Sequence, residues 1–126
     1  MSARTIRAGH YQGPPARIVA GEIENAQISE GSLIKRATIR NSILGRGVWV
    51  NEGAVIEDSI IMDFTSVGKG ACLRRVIVDR FNIIGTGKEI GLNPEADRQH
   101  YHVDPSGLVV IPRGGRREFV RGLEEP

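Results

Sequence analysis

Residues 50–56 (VNEGAVI), 67–73 (VGKGACL) and 84–90 (IGTGKEI) lie over one another at steps of 17. A second set, 39–44 (IRNSIL), 56–61 (IEDSII) and 73–78 (LRRVIV), interleaves with the first at the same step of 17. The leading aliphatic positions are Val50, Ile56, Ile61, Val67, Leu73, Val78, Ile84 and Ile90, five or six residues apart. Ile28, Ile34, Ile39 and Leu44 continue the series upstream. No α-helix has this period, and strict strand alternation does not produce it either. A chain that turns a corner every five or six residues does. Three corners close one coil of about 17 residues, and such coils stack by parallel strand pairing. The sequence therefore predicts an all-β solenoid of about four coils. One aliphatic side chain per flat face points inward, and Gly53, Gly70 and Gly87 recur where the backbone bends tightly.

The pattern bounds the chain's organisation. It is expected over 23–92, after an extended lead-in over 1–22 and before a C-terminal cap over 93–126. The QGPP run at 12–15 is non-helical. Asn93-Pro94-Glu95 has the order of a helix start, with Asn93 as N-cap and Pro94 as first helical residue. That helix must be short, because Asp104-Pro105-Ser106-Gly107 is a turn, and Leu108 to Ile111 reads as a final strand. The remainder, from Gly114 to Pro126, is polar.

Composition sets the classes of function. The chain has 126 residues, one domain's worth, with aromatics at 5% and 16 glycines. Fifteen acidic residues nearly balance 17 basic ones, which argues against a general nucleic-acid binder. Only three of the basic residues are lysines, and arginine suits bidentate capture of carboxylate or phosphate. The single cysteine, Cys72, allows neither an internal disulfide nor a cysteine-based zinc site and reads as a small packing residue. Neither a signal-peptide run nor a membrane-length apolar stretch is evident, so a cytoplasmic location is expected.

The five- and six-residue steps resemble the hexapeptide-repeat proteins, which form left-handed parallel β-helices. The hand is implied by that resemblance alone. Four non-repeat segments narrow it: 14–19 (PPARIV), 73–80 (LRRVIVDR), 90–97 (IGLNPEAD) and 106–111 (SGLVVI). In order and spacing they resemble the C-terminal domain of bacterial glucose-1-phosphate adenylyltransferases, over roughly 6–113. The resemblance implies a regulatory and oligomerisation domain of an enzyme that makes ADP-glucose from glucose 1-phosphate and ATP, with Mg²⁺, for glycogen or starch. This sequence carries no Gly-rich, Arg-containing phosphate loop of the family's nucleotidyltransferase domain. Gly68, Gly70, Gly85 and Gly87 belong to repeat corners. Alone, the chain is expected to be inactive in adenylyl transfer and to need no cofactor.

The same resemblance implies the site. Arg80 matches a position contributing to the family's effector pocket, and Arg113 and Arg117 match basic positions that bind phosphorylated activators. After the Arg113 position the family continues as a helix, where this chain has Gly114-Gly115. Guanidinium groups can share the charge of a sugar phosphate in fork geometry; the plainer reading is solvated arginines, or one paired with Asp79. Arg74 and Arg75 are expected to be solvated, and Trp49 to lie outside the coil, against a partner or in a local structural role. Self-association is expected, because a solenoid apart from its usual partner domain exposes apolar surface.

Two other functions remain open at this point. His10, His100 and His102 raise a stand-alone hexapeptide acyltransferase or zinc hydratase, which use histidine as base or as zinc ligand. Against it, residues 23–92 contain no histidine. The other is a non-catalytic self-association scaffold that binds no effector.

Overall fold

The computed structural model describes residues 14–115. The chain winds through β1 (Arg17–Ile28), β2 (Leu33–Leu44), β3 (Trp49–Val50), β4 (Val55–Glu57), β5 (Ile60–Ile61) and β6 (Ser66–Val67). It continues through β7 (Cys72–Arg74), β8 (Val76–Val78), β9 (Ile83–Ile84) and β10 (Glu89–Ile90), then α1 (Pro94–Arg98), β11 (His102–Val103) and β12 (Val109–Ile111). All pairings are parallel except β11 with β12.

These pairings make a three-sided solenoid whose inward residues stack in columns. On the first face the column is Ile18, Ile34, Val50, Val67 and Ile84. On the second it is Ile23, Ile39, Ile56, Leu73 and Ile90. On the third it is Ile28, Leu44, Ile61, Val78 and Ile111. Ile34, Ile39, Leu44, Ile56, Ile61, Val67, Leu73 and Val78 are fully buried. Burying each such side chain is worth about 1.5–3 kcal/mol before chain entropy is set against it. The 17-residue step is thus the length of one lap, and the aliphatic columns are the core.

Backbone polarity inside the prism is satisfied by small hydroxyls. The Ser42 hydroxyl donates to the Arg40 carbonyl and accepts from the Ser59 N–H. Ser59 repeats the arrangement one coil on, donating to the Glu57 carbonyl and accepting from the Val76 N–H. Left-handed backbone marks the corners. Gly53, Gly70 and Gly87 have φ of 81, 67 and 71°. The corner between second and third faces uses Asn25, Asn41 and Asp58 at φ near 50°, residue types that tolerate this region best after glycine.

Two boundaries differ from expectation. Pairing begins at Arg17, inside the 1–22 lead-in, because β1 lies in register along β2. With no coil stacked on its outer side among the described residues, Ile18 stays half exposed, which hides the strand from a reading based on buried aliphatics. At the other end, β12 is not a separate cap strand: it pairs with β8 and is the last rung of the third face. The chain leaves the prism after Ile90, forms α1 and β11, and returns. Asn93 caps α1 as expected, accepting from the Glu95 and Ala96 N–H groups. The buried Asp97 accepts from the Gly91 N–H and ties the helix to the last coil.

Candidate functional site

The corner between the third and first faces stacks Glu30, Arg46, Asp63, Arg80 and Arg113 on successive rungs. Backbone hydrogen bonds fix this order. Gly47 N–H donates to the Glu30 carbonyl, Phe64 to Arg46, Phe81 to Asp63 and Gly114 to Arg80. Arg80 and Arg113, far apart in sequence, are therefore rung neighbours at one corner. The return of β12 to the prism brings them together.

Electrostatics along this corner are uneven. The Arg46 guanidinium pairs with Asp63 at 3.0 Å and also donates through Nε. Arg80 is exposed, with its Nε 3.9 Å from Asp79. The Asp79 carboxylate also accepts from the Arg80 N–H at 2.7 Å. Arg113 is exposed, and no carboxylate among the described residues pairs with it. Its guanidinium carbon lies 5.3 Å from the centroid of the Phe81 ring. Phe81 in turn stacks on Phe64, centroids 5.8 Å apart and planes within 10°. The two rings form a platform that ends in a guanidinium, an arrangement worth about 0.5–1 kcal/mol at an exposed site. Asn82 holds the backbone beneath, donating to the carbonyls of Asp79 and Pro112. Gly114 is required here, because a Cβ at that position would strike the Phe81 carbonyl.

Two exposed cations on adjacent rungs, with the Asp79 carboxylate 3.9 Å from the first of them, can share an anion's charge. Of the expected site residues, Arg80 and Arg113 are brought together, while Arg117 lies outside the described residues, as does His10. The aromatic platform was not read from the sequence, although Phe64 and Phe81 stand 17 residues apart, one lap. Arg75 is also more than a solvated side chain: its guanidinium donates to the Ser106 carbonyl at 2.6 Å and anchors the turn before β12.

The remaining candidates sit elsewhere. His100 contacts the Tyr101 ring edge-on, and His102 is exposed on β11. Among the described residues no three His, Cys, Asp or Glu side chains converge as a metal site would need. Cys72 faces outward on the second face, half-buried. Burial, then Glu57 and Glu89, push its thiol pKa up, which suppresses thiolate chemistry. Trp49 is 45% exposed on the first face, outside the coil. Among the described residues no helix is long and apolar enough to cross a membrane.

Comparison with known proteins agrees with this architecture. The family described as GlmU-like, C-terminal hexapeptide matches residues 14–111. A glucose-1-phosphate adenylyltransferase of Thermodesulfovibrio yellowstonii is 40% identical over 111 residues, covering 88% of this chain and 27% of that protein. One of Corynebacterium diphtheriae is 39% identical over 99 residues, covering 78% and 23%. One of Photobacterium profundum is 40% identical over 113 residues, covering 85% and 28%. The chain thus spans about a quarter of the length of these relatives.

Proposed function

The chain belongs to the GlmU-like, C-terminal hexapeptide family, and on that basis we propose that it is the regulatory and assembly β-helix of a glucose-1-phosphate adenylyltransferase. In this reading the chain does not transfer adenylyl groups itself. ATP and Mg²⁺ belong to a nucleotidyltransferase domain, and the whole works in the cytoplasm. The β-helix contributes Arg80 and Arg113 to a site for a phosphorylated sugar or nucleotide effector. The observation that carries the proposal is the meeting of these two arginines on adjacent rungs of one corner.

The test is calorimetric titration of the chain with fructose 1,6-bisphosphate. Binding that weakens about tenfold in Arg113→Ala, and again in Arg80→Ala, supports the site. No heat, or an affinity indifferent to both substitutions, favours the scaffold reading.

Assembly rests on a separate observation. The outward column of the third face is Gln27, Ile43, Ile60, Ile77 and Val110, aliphatic in four of five positions. Ile43 is 46% and Ile60 38% exposed. A row of this kind suits burial against another copy of the chain. Sedimentation of Ile43→Glu/Ile60→Glu tests this: a shift to monomer supports it, and an unchanged profile removes the third face from the interface.

A further inference from the structure

The corners between the first and second faces are not all the same size. From inward residue to inward residue the chain takes five residues in the first two coils, Ile18 to Ile23 and Ile34 to Ile39. It takes six in the next three, Val50 to Ile56, Val67 to Leu73 and Ile84 to Ile90. Both faces nevertheless stay in register across this change, Ile34 on Val50 and Ile39 on Ile56. The extra residue must therefore be absorbed at the corner, which projects past the corners of the first two coils. The Gly53 N–H donates to the Arg36 carbonyl and fixes where the overhang starts.

Beneath the overhang is a cavity of about 530 Å³ lined by Val19, Lys35, Arg36, Asn51, Glu52 and Lys69. Two of the chain's three lysines are there, beside an arginine held at φ 48°. Among the described residues no carboxylate lies at ion-pair distance from any of the three cations. Arg40, by contrast, contacts Glu22, Glu24 and Glu57, and Arg46 contacts Asp63. Glu52 is the only acid in the lining, so the ledge carries a net charge of +2. Asn51 is fixed in the floor, its amide donating to the Val67 carbonyl.

We propose that this ledge is a second anion site, which takes a compact phosphate-bearing anion of two or more negative charges. It lies across the first face from the Arg80 and Arg113 corner and shares no residue with it, so it does not depend on the effector reading. Lys35 and Lys69 supply point charges from either side of the Asn51–Glu52 coil, Arg36 supplies planar donors, and Val19 gives the ledge one apolar wall. Glu52 opposes the anion and sets an upper limit on its affinity.

Amide NMR of the full chain with inorganic tripolyphosphate, at low and at physiological salt, tests this. The amides of residues 35, 36, 52 and 69 should shift saturably and more weakly as salt rises. Lys35→Ala/Lys69→Ala should weaken binding read at those amides about tenfold or more. Glu52→Gln should tighten it, and Arg113→Ala should leave it unchanged. Shifts confined to residues 79–81 and 111–114, or an affinity at the ledge unaffected by the double substitution, would overturn the proposal. The first of these results would place the anion at the Arg80 and Arg113 corner, and the second leaves the effector reading of that corner untouched.

Discussion

The guanidinium of Arg113 sits over the ring of Phe81, although 31 residues and a helix separate them in the chain. Phe81 pays for that position with a left-handed backbone, φ 60°, where earlier coils place Gly31 and Gly47 at the same corner. The left-handed conformation costs a non-glycine residue roughly 1–2 kcal/mol. Phe81→Ala loses the platform and keeps the strain, whereas Phe81→Gly loses the platform and relieves it. The glycine variant should therefore be about 1 kcal/mol more stable than the alanine variant in urea unfolding, allowing for glycine's extra backbone entropy. Equal midpoints would show that the strain is relaxed by other means.

Ile56 and Ile60 are both isoleucines of the third coil, and the prism sends them opposite ways. Ile56 stacks between Ile39 and Leu73 and is fully buried. Ile60 points outward and is 38% exposed. Ile56→Ala should cost about 2–5 kcal/mol, since neighbouring rungs hold the cavity open. Ile60→Ala should cost well under half as much in dilute monomer. Denaturant midpoints of the two variants decide this, and similar losses would mean the columns are not the core.

Ser59 joins two coils through one buried hydroxyl. Ser59→Ala leaves the Val76 N–H and removes a donor from the Glu57 carbonyl. An orphaned buried N–H costs about 1–3 kcal/mol. Hydrogen exchange at the Val76 amide should accelerate to match. A variant with wild-type stability and protection would show that water or a shifted backbone replaces the hydroxyl.

The solenoid was legible because its rule is local: Ile39, Ile56 and Leu73 recur one lap apart, and nothing but a turning chain explains that. The third-face rung at Ile111 was not, because residues 91–108 interrupt the lap count and only pairing with β8 shows where the chain rejoins. The same interruption hides the adjacency of Arg80 and Arg113, which the family resemblance singled out one by one. The stacked Phe64 and Phe81 were within reach, being one lap apart. The ledge was written in the change from five- to six-residue steps, but its meaning depends on both flanking faces keeping register, a tertiary fact.

Asp104 makes the turn before β12 sensitive to acid. Its carboxylate accepts from the Ser106 hydroxyl at 2.7 Å and from the Ser106 N–H at 2.9 Å. These bonds favour the charged form and hold its pKa below the ordinary aspartate value, the hydroxyl bond most of all. A depressed folded-state pKa contributes stability that is present above the unfolded value, about 3.9, and is lost as pH falls through the folded one. The turn should accordingly hold at neutral pH and loosen below about pH 4. Ser106→Ala should move the Asp104 midpoint up toward the ordinary value in a carboxyl-carbon NMR titration. With the hydroxyl gone, the Arg75 contact to the Ser106 carbonyl still anchors the segment, so β12 should stay paired with β8 near neutral pH. A midpoint identical in both proteins would mean that the serine side chain does not bind the carboxylate in solution.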